Sequence, residues 1–403
     1  MTEELERLWL HVGQAYGQAG VWVLDPTVTD EDRKRARLPT LEDTYAAVYE
    51  ENLRRVAEAS SRDGLPPGVQ IERVRREHST ADLERRLGGA RAAVWAEGEE
   101  LTVALRTDAP FGYVASGFEM PLWPTVVPYI RTATVRIRDL DRATLWLRVT
   151  ETQEVGNAFA GERVVADLPW RGPNAPPVPE RAEVDEATHE VPSAAMGTTR
   201  AVKVSLPDRQ PELVIYGTDG ITAAPLIRAL ERKGLVPPTA LLGVHAAMAS
   251  GGDYLARLDE YCYGRDAAVF EPHYKFFTAE LPAWFEAQYG VTATRERTMV
   301  LGASAGGRFA MDLPVLNPDQ FGTAIALSTR GFGGVAPAWE GVPPKYGLGS
   351  GTLEDPNGTT RRLGEELAAA GARVHFHEWI GGHDGHAWFE AIAALLPQML
   401  AYP

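Results

Sequence analysis

One cysteine, Cys262, stands among 403 residues, so the chain can form neither an internal disulfide nor a cysteine-rich metal cluster. Long apolar runs are missing as well: no stretch approaches the roughly 18 apolar residues of a membrane span. The opening Met-Thr-Glu-Glu-Leu-Glu-Arg is acidic where a secretory leader would be basic and then apolar. Positive charge is scarce. Forty Lys and Arg stand against 55 Asp and Glu, a formal net charge of −15, and neither half of the chain is basic. A general grip on nucleic acid needs clustered cations and is excluded on that ground. These absences lead to the expectation of a cytoplasmic protein with no nucleic-acid or membrane partner, long enough for two or three domains.

The chain changes character along its length. Leu5, Leu8, Trp9 and Val12 recur at helical spacing and predict a helix from residue 2 to about 20. A second helix is expected from Leu41 to Ala59 behind Thr40 as N-cap, with helical character reaching about residue 90. From there Leu101 to Arg106, Thr132 to Arg138 and Ala143 to Val149 alternate apolar with polar or small residues, as half-buried antiparallel strands do. Five prolines between Leu168 and Pro179 predict a linker or extended arm, which puts the domain boundary near residue 185. Residues 1–185 are thus read as a helical and β domain that covers or shapes a site, and 186–403 as a second domain.

In that second domain short apolar runs (Val202 to Leu206, Leu213 to Tyr216, Leu241 to Val244, Met299 to Leu301, Ala324 to Leu327, Tyr346 to Leu348, Val374 to Trp379) alternate with stretches long enough for helices. Strands that alternate with helices need crossover connections, so the fold class is α/β with a mostly parallel sheet.

The sharpest motif is Gly302-Ala303-Ser304-Ala305-Gly306-Gly307, after the strand Thr298 to Leu301 and before a helix opening at Arg308-Phe309-Ala310-Met311. Small residues around a serine at a strand-to-helix turn lift its hydroxyl clear of the sheet as a nucleophile, although a glycine-rich packing turn would share the pattern. A serine needs a base. His383, in Gly381-Gly382-His383-Asp384 after the last strand, is the first choice, and His386 is its rival. The carboxylate that orients the base should lie between them in sequence: Glu354 is preferred, Asp355 is the alternative and Asp384 a third. Asp219-Gly220 ends an early strand, and its loop offers the Ile221 N–H as partner to the Ala305 N–H in an oxyanion hole, or else forms an ordinary turn. No metal or cofactor is implied, since His375 and His377 alternate on a strand as exposed polar residues commonly do.

Taken together these segments resemble the esterase family of enterochelin (enterobactin) esterases, esterase D and mycolyltransferases, and most of all its enterochelin-esterase branch. The likeness runs from about residue 193 to 400 through Asp219-Gly220, Arg257-Leu258-Asp259-Glu260-Tyr261, Glu280-Leu281-Pro282-Ala283-Trp284, the Ser304 motif, Gly351-Thr352-Leu353-Glu354 and Gly381-Gly382-His383-Asp384. Ala305 and Tyr261 depart from the family, which often has a bulky residue and a Leu there. The resemblance implies an α/β-hydrolase fold, a triad of Ser304, His383 and Glu354, and a substrate-facing Arg257, with Asp219 and Gly220 beside the substrate. It also implies a small-molecule ester substrate of the ferric siderophore, catecholate trilactone type. Two other readings keep their place: an acyltransferase or hydrolase of another natural-product ester on the same residues, and a hydrolase fold used only for binding.

Overall fold

The computed structural model describes residues 9–12, 21–24, 71–74, 76–109, 112–114, 116–118, 120–127, 129–151, 164–221, 223–246, 254–329, 334–339, 341–354 and 356–401. The chain divides into two compact units. One holds Met1–Pro176 with Gly351–Gly358 and Trp379–Ala387, the other Pro177–Ser350 with Thr359–Glu378 and Trp388–Pro403. No helix among the described residues is long and apolar enough to cross a membrane.

The first unit is built from antiparallel strands. β1 (Trp9–Val12) pairs with β2 (Val21–Leu24), with Trp9 opposite Leu24 and Leu10 opposite Val23. Over Trp9–Val12 this corrects the helix expected from residue 2 to about 20, the rest of which lies outside the described residues: aromatic and β-branched residue types favour a strand, and here that preference overrides the 3.6-residue spacing. β3 (Ile71–Val74) lies within the stretch expected to be helical and corrects it there, and α1 (Thr80–Leu87), capped by the Ser79 hydroxyl, follows. The helix expected from Leu41 to Ala59 lies outside the described residues. β4 (Ala92–Glu97), β5 (Glu100–Arg106) and β9 (Ile130–Ile137) continue the sheet that β3 begins, and β8 (Trp123–Pro124) pairs with β9. A second sheet takes the order β11-β10-β6-β7, from β6 (Tyr113–Val114), β7 (Met120–Pro121), β10 (Thr144–Thr150) and β11 (Val164–Arg171).

Leu101, Val103 and Leu105 of β5, Val135 of β9 and Leu145, Leu147 and Val149 of β10 share one buried core. Ala104, one position out of phase, turns to a separate core beneath Leu83 and Leu87 of α1. β5 is therefore covered on both faces, and each buried side chain is worth about 1.5–3 kcal/mol of burial. The proline-rich window begins as a strand, because Leu168 to Arg171 belong to β11. As an edge strand, β11 can seat Pro169, whose missing N–H no neighbour requires.

The second unit carries eight strands in the order β12-β13-β15-β14-β16-β17-β18-β19. They are β12 (Ala187–Ser193), β13 (Thr198–Ser205), β14 (Leu213–Gly217), β15 (Thr239–Val244), β16 (Thr298–Ala303), β17 (Thr323–Leu327), β18 (Lys345–Gly351) and β19 (Arg373–Trp379). β12, β13 and β15 are antiparallel neighbours, whereas β15, β14, β16, β17 and β18 run parallel. β14 to β17 are buried along their whole length, which explains why they read as continuous apolar runs in sequence. Crossovers use α2 (Ala224–Arg232), α3 (Tyr254–Tyr261), α4 (Ala267–Lys275), a π-helical turn at Phe276–Glu280, α5 (Leu281–Tyr289), α6 (Ala305–Leu316) and α7 (Pro356–Ala369), and α8 (Gly385–Leu400) closes the chain. From β14 the chain steps to β15 on one side and later returns to β16 on the other. Such a reversal opens a crevice at the C-terminal ends of the two strands, where α/β sheets place their ligands.

Candidate active site

Two loops leave the sheet at that reversal. The first, after β16, holds Ser304 at φ 59 and ψ −128, a region that costs a non-glycine residue about 1–3 kcal/mol. Its N–H donates to Leu327 O at 2.9 Å and its C=O accepts from Arg308 at 2.9 Å, so the sheet on one side and the helix on the other hold the turn. Ala305 is the first residue of α6, and its N–H has no acceptor inside the helix. It lies at the positive end of the helix dipole, one residue after Ser304. Gly306 is required for close approach: a Cβ there would lie 2.1 Å from Thr218 Oγ1 and 2.6 Å from Asp219 Oδ2.

The second loop, after β14, is a tight turn. Asp219 and Gly220 both have positive φ, 58 and 63, and Ile221 donates its N–H to Thr218 O at 3.0 Å. Asp-Gly is favoured at the centre of such a primed turn because both positions tolerate left-handed backbone. The ordinary-turn alternative is therefore what this loop forms. The donor expected from Ile221 is engaged within the turn, while Gly220 N–H donates to Val244 O at 2.7 Å and Asp219 N–H to the Tyr261 hydroxyl at 2.9 Å.

Arg257 and Asp219, both expected beside the substrate, bind each other. Arg257 Nε lies 2.6 Å from Asp219 Oδ1 and Nη2 lies 2.8 Å from Oδ2, a parallel two-bond fork, with Nη2 also 3.5 Å from Ala303 O. The guanidinium carbon stands 5.4 Å from the centre of the Tyr261 ring. Glu260 pairs with Arg200 instead. Sequence reasoning gives Tyr261 no place in the site, yet it lies four residues after Arg257 on one helix, the spacing that puts two side chains on one face. Burial holds the Tyr261 hydroxyl well above the usual tyrosine range, so it stays neutral. Burial also pushes the Cys262 thiol up to about 12, which keeps it protonated and unreactive.

The other two members of the expected triad belong to the first unit. His383 Nδ1 lies 3.0 Å from Glu354 Oε2, and Glu354 Oε1 accepts the Gly351 N–H at 2.6 Å. The carboxylate is buried and oriented by backbone, and it meets the imidazole at Nδ1. Their loops are packed into the first unit. Leu353 enters its main core, Thr144 N–H donates to Ile380 O at 2.9 Å, and Ser116 Oγ donates to His383 O at 3.4 Å. A Cβ on Gly382 would lie 1.5 Å from Gly117 O, so only glycine fits before His383. Asp384 instead caps α8, accepting the Ala387 N–H at 2.9 Å, and His386 is exposed with its ring edge against Trp146. Asp355 lies outside the described residues.

A mostly parallel eight-stranded sheet, crossover helices and a serine turn after a central strand define an α/β-hydrolase fold, preceded here by an antiparallel β region. Residues 193–340 match the family model described as “Putative esterase”. No curated protein matches the sequence. Among solved structures the fold is similar to enterochelin esterase from Shigella flexneri, with TM-score 0.58 and 15% identity over 76% of this chain and 95% of that one. The enterobactin esterase from Shigella flexneri in the presence of enterobactin gives 0.57 and 14% over 79% and 98%. Ferric enterobactin esterase from Salmonella typhimurium gives 0.56 and 14% over 77% and 96%. At these identities the likeness is one of fold.

Proposed function

We propose that this esterase is a serine carboxylic ester hydrolase in which Ser304 is the nucleophile, His383 the general base and acid, and Glu354 the carboxylate that orients the imidazole. The observation that carries the reading is the strained Ser304 backbone, φ 59 at a strand-to-helix turn, a conformation that structure retains where a nucleophile must stand clear of a sheet. In the reaction Ser304 Oγ attacks the ester carbonyl as His383 Nε2 takes its proton. The oxyanion is stabilised by the Ala305 N–H and the N-terminus of α6. Collapse expels the alcohol, which leaves with the proton from His383, and Ser304 is left acylated. Water, deprotonated by His383, then releases the acid and restores the serine.

For substrate the proposal is an ester of the catecholate trilactone siderophore type, supported by the likeness of fold to enterobactin esterases. Residues 1–185 shape which esters are accepted and supply no reacting group.

A fluorophosphonate probe should label Ser304, and Ser304→Ala should fold normally while losing roughly three or more orders of magnitude in ester turnover. Turnover near normal in that variant overturns the assignment. Incubation with ferric and iron-free tricatecholate lactones, followed by mass analysis, tests the substrate: linear fragments support it, and intact lactones beside rapid cleavage of a simple ester refute it.

A further inference from the structure

We propose that Arg257 is a positioning residue whose task is to neutralise Asp219, so that a carboxylate can brace the nucleophile turn without opposing the oxyanion that forms there. The inference rests on the reading of Ser304 as nucleophile. Asp219 is in direct contact with that turn, since Oδ2 occupies the space beside Gly306, two residues past the serine. Its backbone is fixed by Tyr261 and by the primed turn, and its carboxylate is held by the Arg257 fork. Unpaired, it would place a full negative charge beside the N-terminus of α6, where the developing oxyanion needs positive potential. The Arg257 fork removes that charge and ties the β14 loop to Ala303, the residue before the nucleophile.

This differs from a guanidinium that grips substrate. Arg257 is 8% exposed, and both bonds of its fork are spent on Asp219. A substrate anion would have to break a two-point pair, buried at Arg257 and open to solvent at Asp219, to reach it, and would leave Asp219 uncompensated.

The test is a double-mutant cycle read with a small neutral ester, together with the rate of fluorophosphonate labelling at Ser304. Arg257→Met should lower kcat and the labelling rate about 100-fold with KM changed little, the size expected for like charges roughly 5 Å apart in a partly screened site. Asp219→Asn should cost less than about tenfold. The double variant, which removes both charges, should regain at least tenfold over Arg257→Met, a rescue that a lost substrate contact cannot give. If Arg257→Met fails to fold, Arg257→Lys carries the test: it keeps the charge but loses the fork, and should hold kcat within about tenfold of wild type. A double variant as impaired as Arg257→Met, a loss confined to KM, or Arg257→Lys as inactive as a neutral replacement would each overturn the proposal. Absence of labelling at Ser304 in the wild type would remove the nucleophile reading and this one with it, whereas normal labelling without rescue removes this one alone.

Discussion

Adding one methyl group to Gly382 is the most direct test of how His383, the base proposed above, is held. A Cβ there would stand 1.5 Å from Gly117 O, 2.4 Å from Gly117 C and 2.9 Å from Gly117 Cα, all backbone atoms, so about 2 Å of separation must open. Gly117 has φ 84 and its own Cβ position is blocked by Leu147, which limits how far that side can yield. The movement falls on the 381–383 segment, and with it on His383, whose Nδ1 lies 3.0 Å from Glu354 Oε2. A displacement near 1 Å at a reacting group costs on the order of 100-fold. Gly382→Ala should therefore reduce kcat for a chromogenic ester by about 100-fold or more. Overpacking should lower stability by about 1–3 kcal/mol, visible as a fall of several degrees in Tm. Gly385→Ala is the matched control, since a Cβ there meets nothing closer than Trp146 Cζ3 at 4.0 Å. Equal activity in the two variants would refute the argument that Gly117 fixes the base loop.

Two further outcomes are expected. His383→Ala should be about as damaging as Ser304→Ala and Glu354→Ala milder, while His386→Ala, which removes an exposed ring, should leave the same chromogenic assay nearly unchanged; inactivation by His386→Ala instead would displace the base. His273 predicts acid sensitivity: it is fully buried among Tyr261, Phe277 and Phe309, and burial, aided by Arg200, holds it down to about 3. Its pKa in the unfolded chain is about 6.5, so below that value the unfolded state takes up a proton that the native state refuses. The stability His273 confers is complete above pH 6.5 and falls between about 6.5 and 3, by roughly 2 kcal/mol at pH 5. Urea unfolding at pH 7.5 and 5 should show that loss in wild type and a smaller one in His273→Phe, and equal losses would refute it.

What is legible in the sequence follows from burial. β14 to β17 are apolar throughout because both faces are covered, so each announces itself as an unbroken hydrophobic run. The serine turn is legible because its glycines are sterically compelled. Where the chemistry depends on which groups pair, sequence falls short. Asp219 and Arg257 are 38 residues apart, and nothing in either segment shows that each satisfies the other rather than a ligand. The Ile221 N–H reads as available because Asp-Gly is equally at home in a ligand loop and in a closed primed turn, and only the turn type separates the two. Trp9 to Val12 mislead for a different reason: over so short a stretch, helical spacing and β preference conflict, and pairing with Val21–Leu24 decides.

The main core of the first unit is completed late in the chain. Leu353 fills a place among side chains that otherwise end with Val149 in the buried set, 204 positions earlier, and Ile380 packs against the same cluster. At translation rates of roughly 5–20 residues per second, that place waits about 10–40 s for its occupant. During this interval the nascent sheets expose apolar surface that belongs around Leu353, the condition in which chaperone capture and misassembly compete with folding. The segment that closes the core also carries Glu354, so the nascent first unit cannot finish its packing without also acquiring the carboxylate that meets His383.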